Sequence, residues 1–320
     1  MDENVFKSWE DSHLALSEKI LRGVFSIGFE VPSPIQSKAI IPLIRGKDML
    51  AQAQSGTGKT GAFVIGVLQS IISEQKNTQA IIICPTRELA MQIRDVLKII
   101  SNFTNINLKL LIGGTSVDND YKFLTTTPPH IIIGCPGRIY DMISRRAVHT
   151  NTIKTCILDE ADEMFTSGFK DQIYKILNNL NKNIQIGLFS ATVSEDLKLL
   201  SKDFLKNPVH ILEKRELLTL QGIRQYYVAL DNDYHKYLTI KDLYSQLNIG
   251  QSIIYCNSVN RTEKLFNSMS EEDFPVNKIH SKMSQEERNK IYDEFKGGAI
   301  RVLISTDLFS RGIDVQQVSV

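Results

Sequence analysis

The stretch Ala51-Gln-Ala-Gln-Ser-Gly-Thr-Gly-Lys-Thr60 decides how the chain is read. The apolar run Met49-Leu50-Ala51 leads into it, and Gly61-Ala62-Phe63-Val64-Ile65 follows at helical spacing. Strand, glycine loop and helix in that order are the layout of a P-loop. Gly56 and Gly58 let the backbone turn its N–H groups inward, and the helix N-terminus adds partial positive charge. Lys59 is placed to reach the β- and γ-phosphates and Thr60 to ligate Mg²⁺. Ala53, Gln54, Ser55, Gly56, Thr57, Gly58, Lys59 and Thr60 are therefore expected to wrap a nucleoside triphosphate. Ala53 stands where the G-x-x-x-x-G-K-T pattern has its first glycine, and for the loop alone an ordinary glycine-rich turn is the alternative.

Outward from the loop, bulk composition sets limits. The 320 residues, 42% hydrophobic and 23% charged, have the length of about two domains and material for their cores. A net charge of +1 argues against a protein coated in positive charge. Nucleic-acid binding would rest on a few placed amides and arginines, with a shallow salt dependence. The chain opens without a secretory pattern and contains no apolar run near the roughly 18 residues of a membrane span, so cytosol or nucleus is expected. Cys84, Cys135, Cys156 and Cys256 are far apart at or within apolar runs and read as small buried hydrophobes.

Before the loop, Leu14 to Ile27 shows helical apolar periodicity and stops at Gly28; Pro32 and Pro34 restart the backbone into a second helix closed by Gly46. Next comes Gln36, whose amide can pair with the N6/N7 edge of adenine but which, taken alone, reads first as a solvated helix residue. After the loop, apolar runs at 80–84, 108–112, 130–133, 155–158 and 184–189 alternate with segments of helical length. Continuous apolar strands joined by helices predict a parallel sheet covered on both faces, with ligands at the carboxyl ends of its strands.

Polar motifs fall at those ends. Asp159 is placed to hold a Mg²⁺ shell and Glu160 to orient or deprotonate an attacking water, although two acids there also suit a helix N-cap. The hydroxyls of Ser190 and Thr192 are placed to bridge to Asp162, or simply form a loop.

Gln36 after Pro-Ser-Pro-Ile, the loop 53–60, Pro85-Thr-Arg-Glu-Leu-Ala90, Gly113-Gly114, Pro136-Gly-Arg138, Asp159-Glu-Ala-Asp162 and Ser190-Ala-Thr192 occur together in fixed order. In this the chain resembles the DEAD-box RNA helicases across essentially its whole length. Leu21-Arg-Gly, Gly28-Phe-Glu and Gly222-Ile-Arg-Gln225 are especially similar to the branch that serves translation initiation. The resemblance implies ATP with Mg²⁺, hydrolysis coupled to sequence-independent RNA strand separation, RNA and an initiation scaffold protein as partners, and a monomer. It implies that Gln36 reads adenine with an upstream aromatic stacked on the base, Trp9 as the candidate and Phe6 as the alternative. It implies that Pro85, Thr86, Arg87, Gly114, Gly137 and Arg138 grip RNA backbone, leaving bases unread. Cys135 replaces the usual threonine of its motif.

The charged segment around Glu213-Lys-Arg-Glu216 reads as a linker, residues 213–224, after a first domain of residues 1–212; a solvated helix end has the same appearance. Strand-like runs at 225–230, 252–256, 276–279 and 301–304 then begin the same fold type again over residues 225–320. The resemblance makes this a second RecA-like domain, with Thr306 on an RNA phosphate, Asp314 on the nucleotide ribose, and ATP and RNA each bridging both domains. Ser281 follows His280 where the family has glycine. The fold class is thus two RecA-like α/β domains, the second expected to be truncated, because no His-Arg-x-Gly-Arg-x-Gly-Arg motif precedes Val320. Two other readings stay open: a non-catalytic RNA- or scaffold-binding fragment, and a DNA translocase of the wider P-loop group.

Overall fold

The computed structural model describes residues 5–54, 56–212, 224–307, 315 and 317–320. The chain divides into two compact units, Met1–Gly222 and Ile223–Val320.

The first unit is built on seven parallel strands: β1 (Met49–Gln52), β2 (Ala80–Ile83), β3 (Leu108–Leu111), β4 (Ile131–Gly134), β5 (Thr155–Leu158), β6 (Gln185–Ser190) and β7 (Val209–Leu212). Their order across the sheet is β3-β4-β2-β5-β6-β1-β7. Successive residues of a strand face opposite sides, which explains the unbroken isoleucine runs. Ala80, Ile82, Ile131, Ile133 and Ile157 enter one core, and Ile81, Ile83, Ile132, Cys156 and Leu158 the other. The first core is closed by α1 (Glu18–Ser26), α2 (Pro34–Ile44), α3 (Lys59–Ser70) and α4 (Arg87–Ser101). The second is closed by α5 (Val117–Thr126), α6 (Pro136–Ser144), α7 (Ala161–Thr166), α8 (Lys170–Asn179) and α9 (Glu195–Phe204). All the carboxyl ends of the strands lie along one edge, where a parallel sheet gathers ligands.

Helix α1 is shorter than the periodicity from Leu14 suggests. Ala15 takes a left-handed φ of 47°, and the Ser17 side chain accepts the Ile20 N–H, so the helix starts only after Ser17. Helix α2 starts at a capping box: Ser33 Oγ accepts the Gln36 N–H while Gln36 Oε1 accepts the Ser33 N–H, with Pro34 at the first helical position.

The second unit carries α10 (Asp233–Gln246), β8 (Ser252–Tyr255), α11 (Val259–Ser270), β9 (Val276–Ile279), α12 (Gln285–Lys296) and β10 (Val302–Ser305), with parallel strands in the order β8-β10-β9. Residues 225–230, read as a strand, form none. Tyr226 and Tyr227 are 83% and 93% exposed, and among the described residues no strand lies alongside to take the backbone hydrogen bonds. At the outer edge of β8, Ser319 N–H donates to the Gln251 carbonyl at 2.9 Å and Ile253 N–H to the Val320 carbonyl at 3.1 Å. Of the segment read as a linker, only Arg224 is described, and Asp314 and Ser55 also lie outside the described residues.

Candidate nucleotide and RNA sites

The P-loop joins β1 to α3. Ala53 is fully buried and its N–H donates to the Ser190 carbonyl at 3.1 Å, which continues the sheet ladder by one residue. Its φ is not positive, so the missing glycine leaves no strain. The positive φ falls instead on Gly56 at 80° and Gly58 at 98°. A Cβ on Gly58 would come within 2.7 Å of Ser33 Oγ and 2.9 Å of Gln36 Nε2. Gly58 is also the N-cap of α3 and supplies no side-chain cap, so the N–H groups of the first turn, with the helix dipole behind them, face the loop.

Lys59 is buried, and its Nζ lies 3.1 Å from Glu160 Oε1. Glu160 sits at the end of β5 as the N-cap of α7 in a left-handed conformation, φ 49° and ψ 50°, a strain of the kind found at functional sites. Its N–H donates to Asp159 Oδ1 at 3.0 Å. Burial, and after it the neighbouring Glu160 charge, push the Asp159 carboxyl up to about 7 against the pull of Lys59. Two buried acids here face one ammonium. With the Thr60 hydroxyl in the first turn of α3, this is a hard-oxygen donor set that fits Mg²⁺.

Behind the acids, Asp162 Oδ2 accepts from the Thr192 hydroxyl at 2.7 Å and the Thr192 N–H at 3.2 Å. The Asp162 N–H donates to Ser190 Oγ at 3.3 Å, and the Ser190 hydroxyl donates to the Thr192 carbonyl at 2.7 Å. The end of β6 is thereby tied to α7, which carries the acidic motif.

Gln36 is buried, with Nε2 donating to the Gly58 carbonyl at 3.3 Å. Its amide joins α2 to the phosphate loop. Trp9 requires a correction. It is 2% exposed, packed against Phe6 and stacked on Phe29 at 6.3 Å between centroids and 18° between planes, so it presents no face for a base. The aromatic beside Gln36 is Phe29: a Cβ on Gly61 would meet Phe29 Cε2 at 2.7 Å and Gln36 Nε2 at 2.5 Å. Phe29 lies within the Gly28-Phe-Glu stretch already noted, but spacing alone does not show which aromatic is covered and which is partly open.

The order β3-β4-β2 brings three other motifs together. Thr86 caps α4, its hydroxyl oxygen accepting the Leu89 N–H at 3.2 Å. The Arg87 guanidinium lies over Gly113 and Gly114, where an added Cβ would stand 2.8 Å from Nη2 and 2.9 Å from Nη1 respectively. Gly114 has φ 86°. Arg138, one residue after the open Gly137, pairs with Asp120 through Nη1 and donates through Nη2 to the Thr115 carbonyl at 2.9 Å. Asp120 and Thr115 were not singled out in the sequence; nothing marks them until β3 and β4 are neighbours. Cys135, at the N-cap of α6, makes no side-chain cap bond, and burial pushes its thiol up to about 12.

In the second unit, Thr306 directly follows β10, and the Ser305 hydroxyl donates to its carbonyl at 2.8 Å. His280 is buried with Nε2 2.7 Å from Glu263 Oε1. Among the described residues, no group of His, Cys, Asp or Glu could by itself hold a metal ion, the four cysteines are free, and no helix is long and apolar enough to cross a membrane.

Comparison with known proteins bears on the whole chain. Residues 33–200 match the DEAD/DEAH box helicase family and residues 235–320 the helicase conserved C-terminal domain. Eukaryotic initiation factor 4A of Caenorhabditis elegans is 45% identical over 317 residues, spanning 99% of this chain and 78% of the relative. The ATP-dependent RNA helicase eIF4A of Lodderomyces elongisporus is 46% identical over 317 residues, spanning 99% and 79%. Among solved structures, S. cerevisiae Dbp5 bound to RNA and ADP BeF3 superposes with a TM-score of 0.90 at 32% identity, covering 98% of this chain and 79% of that one. With the P-loop, the acidic motif and the three strand-end motifs on one sheet edge, these similarities place the chain in the DEAD-box family of ATP-dependent RNA helicases.

Proposed function

We propose that the chain couples ATP hydrolysis to local, sequence-independent separation of RNA strands, in translation initiation. The observation that carries this is positional. Lys59, Asp159, Glu160 and the Asp162–Thr192 link stand on the same strand-end edge as Arg87, Gly114 and Arg138. One rigid sheet can therefore register both a triphosphate and an RNA backbone. The similarity to initiation factor 4A supports the biological setting, with an initiation scaffold as partner and the cytoplasm as the place of action.

Lys59 and the N–H groups of the loop hold the β- and γ-phosphates. In exchanging Glu160 for phosphate, Lys59 releases that carboxylate to orient and deprotonate the attacking water. Asp159 and Thr60 would hold Mg²⁺, largely through water, and the ion supplies charge neutralisation at the phosphates. Gln36 and Phe29 hold the adenine, and Asp162 carries the change at the phosphates to Ser190 and Thr192. Backbone amides and the two arginines grip RNA phosphates without reading bases. Thr306 and Asp314 are assigned to an RNA phosphate and the ribose of the nucleotide.

The test is phosphate release with and without single-stranded RNA, alongside release of a strand from a short RNA duplex. RNA-stimulated turnover with strand release is expected. Tight RNA and ATP binding without phosphate release would favour the non-catalytic binder, and equal stimulation by DNA would favour the translocase.

A further inference from the structure

Asp120 is an acid on the very edge that is to take a polyanion, and it is almost wholly buried there. It projects from the first turn of α5. Its Oδ1 lies 2.8 Å from Lys109 Nζ on β3, and its Oδ2 receives Arg138 Nη1 from α6. The same Nη1 donates to Thr115 Oγ1 at 2.8 Å, and Thr115 Oγ1 lies 3.0 Å from Asp120 Oδ2. Of the five N–H donors of the Arg138 guanidinium, three are thus engaged by Asp120 and Thr115, leaving Nε–H and one Nη2–H for a ligand. Those two lie along one side of the fork, the geometry that pairs with two phosphate oxygens. The cluster also anchors Thr115 directly after Gly113 and Gly114, the surface on which Arg87 rests.

We propose that Asp120, acting with Thr115, is a positioning residue of the RNA site: it turns the Arg138 guanidinium so that its remaining edge meets a phosphate, and holds the Gly113–Thr115 loop under Arg87. This rests on the proposed RNA-binding function. Simple electrostatics predicts the opposite consequence. Removing a carboxylate from a phosphate-binding face adds one positive charge and strengthens binding. If Asp120 positions Arg138, its removal weakens binding, because an arginine side chain that is only 9% exposed loses the partner that orients its guanidinium.

The experiment measures binding of a fluorescent single-stranded RNA, with a non-hydrolysable ATP analogue, over a range of salt. It compares the wild-type chain with Asp120→Asn, Asp120→Glu, Thr115→Val, Arg138→Ala and the Asp120→Asn/Arg138→Ala pair. Asp120→Asn is expected to weaken RNA binding about tenfold, the size of one charge-assisted hydrogen bond. Its log affinity against log salt should be shallower by about 0.7, one phosphate contact fewer on a single strand. Asp120→Glu recovers part of the loss, and Thr115→Val weakens binding although it changes no charge. In the Arg138→Ala background, Asp120→Asn costs clearly less than in the wild type, keeping only the share carried by its contact with Thr115. Unchanged or tighter binding by Asp120→Asn overturns the proposal, as does an equal loss in the Arg138→Ala background, which marks general disruption instead. A wild-type chain that does not bind RNA at all overturns the proposed function and this inference with it.

Discussion

At the scale of the residue, the buried Lys59–Glu160 pair separates two substitutions that activity alone would confuse. Lys59→Ala removes the ammonium that faces Glu160 and Asp159, and breaking a buried ion pair in this way costs about 3 kcal/mol. It is expected to abolish nucleotide binding and to lower the unfolding midpoint. Glu160→Gln keeps a hydrogen-bonding partner for Lys59 and removes the like charge next to Asp159. It is expected to bind ATP, fail to turn it over and unfold no earlier than the parent. Nucleotide titration and thermal unfolding of the two proteins check this; unchanged ATP affinity in Lys59→Ala would remove the P-loop from the account. Lys59 and Glu160 were legible as residues because a P-loop is a local pattern. Trp9 was misplaced because burial is a property of everything packed around a side chain, and its stacking on Phe29 has no trace in their spacing.

At the scale of the element, glycine and ion pairs set how closely pieces approach. Gly134 ends β4 against β3, and a Cβ there would lie 1.9 Å from the Leu111 carbonyl oxygen, so no side chain fits without parting the strands whose loops carry Gly114 and Arg138. In the second unit, Glu263 on α11 reaches Lys278 on β9 and His280 directly after it, and hydrogen bonds from these two hold its carboxyl below the usual range. The native state therefore binds fewer protons than the unfolded one between the lowered value and the ordinary 4.5, so this contribution is complete above about 4.5 and fades as pH falls through the lowered value. Glu263→Gln is expected to be less stable than the parent at neutral pH, with the difference closing in acid. Chemical denaturation of both proteins at several pH values measures it; a difference independent of pH would show that the carboxylate charge is not what joins helix to strand. The expected strand at 225–230 belongs to this scale too. Its strand-like run was readable, but a strand exists only where another offers hydrogen bonds.

At the scale of the whole molecule, the two units have cores of different size. Two large apolar clusters sandwich the seven-stranded sheet of the first. The three strands of the second are held by the small groups around Phe295 and Met269, and α10 buries no residue fully. Amide exchange is expected to show the second unit opening at lower free energy than the first, in a separate step. Equal protection and a single cooperative transition across both would contradict it. The sequence by itself determined the parallel sheet with helices on both faces, because isoleucine runs covered on two sides and a glycine loop between strand and helix are short-range patterns with one stable solution. It also marked the glycine loop and the acidic motif as the candidate nucleotide site. Only the tertiary structure decided that Phe29 rather than Trp9 stands beside Gln36, that Ala53 needs no glycine, and that Asp120 meets Arg138. Each of these depends on strand order and packing between residues distant in the chain, where the same local text is compatible with several surroundings and the fold selects one.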